Sequence, residues 1–286
     1  MTVIATNTSA LRAANASMSA NSALSTAMER LSTGKRINSA KDDAAGLAIA
    51  TTMTSSIRGM GQGIRNANDG ISLAQTAEGA LNEVTNMLQR VRELAVQSAS
   101  GTYSGDDRTN MQKEVAQLAS QMSSMVTNSE FNGVKLFGGT GFAATVSIQT
   151  GAESTDTVTL TMADLSGLKT AADLTGTDGA GTATTDTFSV ATAAKSTALL
   201  TIVDTQLTAI SGARATLGAG QSRLESVVNS QTSNMTNLSD ARSRIEDTDY
   251  STETAALAKA QILSQASSAM LSQANQSQQN VLSLLR

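Results

Sequence analysis

The sequence predicts a mainly α-helical chain. Its long antiparallel helices run along heptad seams in a coiled-coil-like bundle, with a small β-rich segment in mid-chain and terminal helices paired with each other. Three observations predict this class. Of 286 residues, 45 are Ala and none is Pro, so helix propensity is high and no proline interrupts a helix. Apolar residues step by 3 and 4 through 74–125 and by 7 through 203–245, the signature of helices that need partner helices. Strand-like alternation occurs in mid-chain, where all four Phe lie.

Residues 1–33 are rich in Ala, Ser and Asn, with no charge between Ala13 and Met28. Leu11, Met18, Leu24, Met28 and Leu31 are read as one sparse helical stripe. "GKRINSAKDDAA" (34–45) concentrates charge after Gly34 and reads as a loop, with Ser39 or Asp42 able to cap the next helix. That helix is expected from about Ala45 to Ala99, with a bend at Gly59, Gly61 and Gly63. Within it Ala74, Ala77, Leu81, Val84, Leu88, Val91 and Ala95 form a heptad seam. "SGTYSGDD" (100–107) is a turn in which Asp106 or Asp107 caps a further helix. Met111, Val115, Leu118, Met122 and Met125 continue the stepping there, as in an αα-hairpin.

The character changes over residues 131–197, the expected β-rich segment. "TVTLTM" (157–162) alternates Val158, Leu160 and Met162 like a half-buried strand, and "TGTDGAGTATTD" (175–186) reads as a loop. The last long seam is Val203, Ile210, Leu217, Leu224, Gln231, Leu238 and Ile245. Leu207, Val228 and Met235 fill companion positions, and Arg214, Gln221 and Arg242 interrupt them. At ~1.5 Å per residue it spans on the order of 60 Å. Its partners are the first-half helices, so the chain folds back on itself and its ends meet.

Residues 260–285 carry no charge but six Gln, six Ser and two Asn. A solvated surface helix carries charges on its wet face, and a membrane helix does not tolerate so many amides. Ile262, Leu263, Met270 and Leu271 mark an apolar side, and Val281, Leu282, Leu284 and Leu285 crowd the end. Leu, Ile, Val and Phe total only 55 residues, about 19%, near the limit for burying enough surface to fold alone. The ends are therefore expected to pair with each other and to be covered by further copies. Their large apolar residues are the candidate polymerisation set: Leu11, Met18, Leu24, Met28, Ile262, Leu263, Met270, Leu271, Val281, Leu282, Leu284 and Leu285. Residues 1–33 and 255–286 are expected to be largely disordered before assembly.

Composition weighs against chemistry. There is no His and no Cys, which removes the commonest general base, metal ligand and thiol nucleophile. No catalytic, cofactor-binding or metal-binding residue is assigned. Asp42–Asp43 and Asp106–Asp107 are read as helix caps rather than paired catalytic carboxylates. "GMGQG" lacks the spacing of a dinucleotide loop and "GKRINS" the upstream Gly of a P-loop. A net charge of −4 gives no field for nucleic acid. No run reaches ~18 apolar residues, so membrane insertion is not expected. The missing basic face weighs against a lipid-surface helix. "MTVIATNTSALRAANAS" does not read as a cleavable secretory signal. A self-assembling structural protein is the remaining class.

Five motifs carry a family resemblance: "LSTGKRINSAKDDAAGLAIA" (31–50), "LQRVRELAVQSA" (88–99), "FNGVKLF" (131–137), "ARSRIEDTDYSTE" (241–253) and "QANQSQQNVLSLLR" (273–286). Over roughly 1–140 and 200–286 the chain resembles bacterial flagellin. The competing family is the hook–filament junction protein, which is similar to flagellin at its ends only. The resemblance implies an extracellular filament subunit exported uncleaved and unfolded through the flagellum's own channel. It implies an inner terminal-helix domain (1–44 and 246–286) and an outer core domain (45–245), in a short form without outer variable domains. It also implies, as partners, other copies in a homopolymer, an export chaperone, and cap and hook-junction proteins. In many flagellins a patch corresponding to Arg90, Leu94 and Glu114 is bound by Toll-like receptor 5. From spacing alone, Arg90, Glu93 and Gln97 form an ordinary solvated helix face.

Overall fold

The structure, a computed structural model, describes residues 6–138, 141–165 and 188–283, with side chains of the last helix as far as Ser277. Among the described residues there are five helices: α1 Thr8–Thr33, α2 Ala44–Ala99, α3 Gly105–Asn128, α4 Ala193–Glu246 and α5 Tyr250–Ser283. Four short strands, β1 Glu130–Phe131, β2 Val134–Lys135, β3 Thr145–Gln149 and β4 Thr157–Thr161, lie between α3 and α4. The loop expected at 175–186 lies outside the described residues. The chain divides into two compact units, 1–57 with 236–286, and 58–235. The start of α2 and the end of α4 belong to the first of these.

The 58–235 unit holds one continuous apolar core. α2 contributes Ala74, Ala77, Leu81, Val84, Leu88, Val91 and Ala95, all fully buried as their heptad stepping requires. α3 supplies Met111, Val115, Ala119, Met122 and Val126, with Leu118 and Met125 on the flank. α4 supplies Leu199, Val203, Ile210, Leu217 and Leu224. Cross-helix pairs set the directions. Arg90 of α2 meets Glu114 of α3, Arg92 meets Asp204 of α4, and Glu78 meets Gln221. Rising numbers on α2 thus face falling numbers on α4, so the two are antiparallel.

Helix starts are capped by neighbours of the expected residues. Asp43, not Ser39 or Asp42, accepts from the Gly46 N–H at 2.9 Å at the start of α2. Asp42 instead accepts from the N–H groups of Ser39 and Asn38, closing the preceding turn. Those backbone bonds hold its carboxyl below the usual carboxylate range. The N-cap of α3 is Ser104, not Asp106 or Asp107. Its hydroxyl oxygen accepts from Asp107 N–H, while the Asp107 carboxylate accepts from Ser104 N–H, a reciprocal capping box. A hydroxyl on an extended residue reaches the N3 amide, and the acid then serves best from the first turn.

The helix α2 is continuous through Gly59, Gly61 and Gly63. Two of these glycines admit the β3–β4 hairpin loop. A Cβ at Gly63 would lie 2.1 Å from Thr150 O, and one at Gly59 would lie 2.7 Å from Ala152 Cβ. Strand β4 pairs with β3 in register Val146↔Leu160 and Ile148↔Val158. Alternation turns Ile148, Val158 and Leu160 into the core. Leu160 rests on Gly220 of α4, where a Cβ would meet it at 2.4 Å. The tighter hairpin β1–β2 turns through Asn132 and Gly133, both with positive φ (48° and 79°). This is the backbone that an Asn-Gly pair adopts at least cost.

Gln112 of α3 grips the segment that leads into α4. Its amide donates to Phe188 O at 3.1 Å and accepts from Val190 N–H at 2.6 Å. The buried Ser98 hydroxyl donates to Val190 O at 2.6 Å. Ser98 is buried and Gln112 half-buried, and both satisfy backbone groups that no strand reaches.

Candidate functional site

In the unit of 1–57 and 236–286, α1 and α5 pack along their length as an antiparallel pair. Asn7 caps α1 by accepting from Ala10 N–H at 3.0 Å and reaches across to donate to Ala274 O at 3.1 Å. Ser264 donates to Asn21 at 2.8 Å, and Arg30 lies 3.8 Å from Glu253. Arg30 also sits in the last turn of α1, where a cation complements the helix dipole. Gly34 then ends α1 in the left-handed conformation, φ 71°. At the inner end of the pair the two chain segments are stitched together. Thr248 N–H donates to Gly34 O, Arg36 N–H to Glu246 O, and the Arg36 guanidinium to Ile245 O. Asp249 accepts from the Thr252 hydroxyl and the Ser251 N–H, which lowers its pKa and opens α5.

The seam of this pair is made largely of small residues. On α1 covered positions step by 3 and 4 through Ala10, Ala13, Ser17, Ala20, Leu24, Ala27 and Leu31, with Ala14, Thr26 and Arg30 half-buried beside them. On α5 they are Glu253, Leu257, Ala260, Ser264, Ser267, Leu271 and Ala274. The single apolar stripe expected on α1 is therefore two faces. Leu24 and Leu31 lie in the seam, whereas Leu11, Met18 and Met28 lie outside it and are exposed. The tail divides likewise: Leu271 is in the seam, and Ile262, Leu263 and Met270 are exposed. The side chains of Val281, Leu282, Leu284 and Leu285 lie outside the described residues. The seam alanines carry little hydrophobic signal in the sequence; the regular 3-4 spacing of Ala and Ser is the signal that marks them.

A methylene-sized group contributes about 0.8 kcal/mol on burial, and ordering a residue costs about 1–2 kcal/mol. A seam of Ala and Ser offsets little of that, while the larger apolar surface faces outward. In an ordinary amphipathic helix the order is reversed.

On the α2–α3 face, Arg90 Nε donates to Glu114 at 2.7 Å and Nη1 to Glu93 at 3.0 Å. The Glu114 and Glu93 carboxylates raise the guanidinium pKa, Glu114 contributing most. Leu94, matched to the same patch, is buried at 2% exposure in the core beneath it. Among the described residues no three His, Cys, Asp or Glu side chains are grouped as metal ligands would be, and no helix is long and apolar enough to cross a membrane.

Long paired helices that leave large apolar residues exposed on the terminal pair fit a structural protein. Residues 4–141 match the bacterial flagellin N-terminal helical region and 200–285 the C-terminal helical region. A flagellin of Bacillus subtilis is 42% identical, with 98% of both chains covered. A flagellin of Halalkalibacterium halodurans is 44% identical over 91% of both. A solved putative flagellar hook-associated protein from Vibrio parahaemolyticus has a TM-score of 0.57 at 16% identity, covering 72% of this chain and 100% of that one, and so shares the fold. The chain belongs to the bacterial flagellin family. It is an extracellular subunit of the flagellar filament, a structural protein that polymerises. Nothing favours the hook–filament junction alternative, because the relatives that span the whole chain are flagellins.

Proposed function

We propose that the terminal pair α1–α5 is the polymerisation element, with residues 1–44 and 246–286 forming the inner tube and 45–245 the outer one. One observation carries this reading: Leu11, Met18, Met28, Ile262, Leu263 and Met270 are exposed around a seam in which Ala and Ser outnumber Leu. Neighbouring copies bury the outward residues, and contacts of that heterologous kind extend into a filament. Before assembly, 1–33 and 255–286 are largely disordered, because the pair alone offsets too little ordering entropy. Chains travel unfolded through a channel whose wall carries Gln and Ser but no charge. A neutral wall does not trap a passing chain electrostatically. An export chaperone and a cap protein complete the set of partners. The test is removal of Val281–Arg286. The truncated protein keeps a folded core over 58–235 and loses or slows polymerisation from seeds. Filament growth at the normal rate would refute the reading.

A second reading concerns the exposed Arg90, Glu93 and Glu114 cluster. Its fork of charge-assisted hydrogen bonds fixes a guanidinium at the surface. That suits an interface anchor for Toll-like receptor 5 in the free subunit. Arg90 and Glu114 carry the contact, and Leu94 supports the helix from below.

A further inference from the structure

Among the described residues, the exposed thioethers are those of the terminal pair. Met18 and Met28 of α1 are 70% and 56% exposed, and Met270 of α5 is 64% exposed. Met53, Met87, Met125 and Met235 are half-buried, and Met60, Met111, Met122 and Met162 are buried. Met18, Met28 and Met270 also stand on the outward apolar faces that further copies cover.

We infer that Met18, Met28 and Met270 form a peroxide-sensitive modification site that controls whether a subunit can assemble. The inference rests on the assembly role proposed for these faces. Oxidation needs access of a peroxide to the sulfur lone pair, and the free subunit grants it. The sulfur attacks the distal peroxide oxygen, and the O–O bond breaks as the S–O bond forms. The thioether is oxidised by two electrons to the sulfoxide, and hydrogen peroxide is reduced and leaves as water after proton transfer. The product is a polar, chiral side chain where the interface needs an apolar one. Burying its S–O dipole against the apolar side chains of a neighbouring copy is penalised wherever no donor of that copy faces it. In the filament the same sulfurs are covered, and oxidation is slow. Assembly therefore protects the subunit, and oxidation before assembly excludes it. Two reductases of opposite sulfoxide stereochemistry reverse the change.

The test uses full-length subunits and preformed filaments, each exposed to hydrogen peroxide, with oxidation mapped by peptide mass spectrometry. Met18, Met28 and Met270 oxidise first in subunits and resist in filaments. Oxidised subunits elongate seeds at least about tenfold more slowly, and treatment with both sulfoxide reductases restores the rate. The variant Met18→Leu/Met28→Leu/Met270→Leu keeps volume and apolarity and assembles at the same rate before and after peroxide. Normal elongation by wild-type subunits with these three positions fully oxidised would overturn the inference while leaving the assembly interface standing. Equal reactivity of the three sulfurs in filaments and subunits would overturn both. Reductase rescue of wild-type protein decides the matter even where the triple variant assembles poorly.

Discussion

Gly61 and Gly63 lie two residues apart on α2, yet substitution by Ala should move stability in opposite directions. Ala favours a helix over Gly by about 1 kcal/mol at either position. At Gly61 a new Cβ meets nothing within 4 Å, so Gly61→Ala should stabilise by about 0.4–1 kcal/mol. At Gly63 the Cβ would lie 2.1 Å from Thr150 O, 2.5 Å from Thr150 C and 3.0 Å from Gly151 N. All three are backbone atoms, so no rotamer relieves the clash. Reaching a C···O separation of roughly 3.3 Å requires the loop to retreat by about 1.2 Å. Overpacking of this kind costs about 1–3 kcal/mol. The retreat also strains the 2.9 Å bond from Asn66 Nδ2 to Gln149 O, worth about 1 kcal/mol. After the helix gain is subtracted, Gly63→Ala should destabilise by about 1–3 kcal/mol. The assay is urea unfolding of the free subunit followed by far-UV circular dichroism, comparing midpoints at unchanged slope. An unfolding midpoint for Gly63→Ala at or above that of Gly61→Ala would refute the seating of the hairpin loop on α2.

Other expectations concern the channel, the capping box, the core and the receptor patch. Gln265, Gln273 and Gln276 are exposed on α5; Lys at all three should shorten filaments in cells, measured by electron microscopy, and unchanged lengths with those side chains facing the lumen would sink the neutral-wall idea. Ser104→Ala should cost about 1 kcal/mol at neutral pH. The Ser104 hydroxyl and N–H hold the Asp107 pKa below its ordinary 3.8, so the carboxylate's share is full above that value and is lost as pH falls through the lower folded pKa. The unfolding midpoints of wild type and Ser104→Ala should draw closer in acid without meeting, because the hydroxyl still accepts from Asp107 N–H; a constant gap would count against the carboxylate's part in the box. Leu81→Ala, at a fully buried seam position, should cost about 2–5 kcal/mol in the same unfolding assay, whereas a change below ~1 kcal/mol would place Leu81 outside the tight core. Arg90→Ala should weaken receptor binding by about thirtyfold, read by titrating free subunit, and undiminished binding with intact helix content would return that face to an ordinary solvated one.

Fold class was legible because helix periodicity is a local property. Ala74 to Ala95 announce their burial through 3-4 stepping alone, and each proves fully buried. The β4 strand was readable from the alternation of Val158 and Leu160, whereas the capping residues of α2 and α3, Asp43 and Ser104, were missed by a few positions. The flagellin motifs carried the family, because they fix identities at spacings that no general helix requires.

What the sequence by itself determined, then, was which segments become helices and which faces seek partners, since both follow from side chains a few residues apart. Only the tertiary structure decided what those faces meet. Gly59 and Gly63 read as helix breakers in isolation and become a landing for Thr150 and Ala152 once the hairpin arrives. Gln112 is one amide among many until Phe188 and Val190 present unpaired backbone groups to it. Leu94 matches a surface patch by position and is buried because its own helix turns it inward. In the terminal pair, Leu11, Met18 and Met28 look like the core of α1, yet the seam belongs to Ala20 and Ala27. Small side chains let two backbones approach closely, and that approach is a relation between α1 and α5 that neither segment encodes alone.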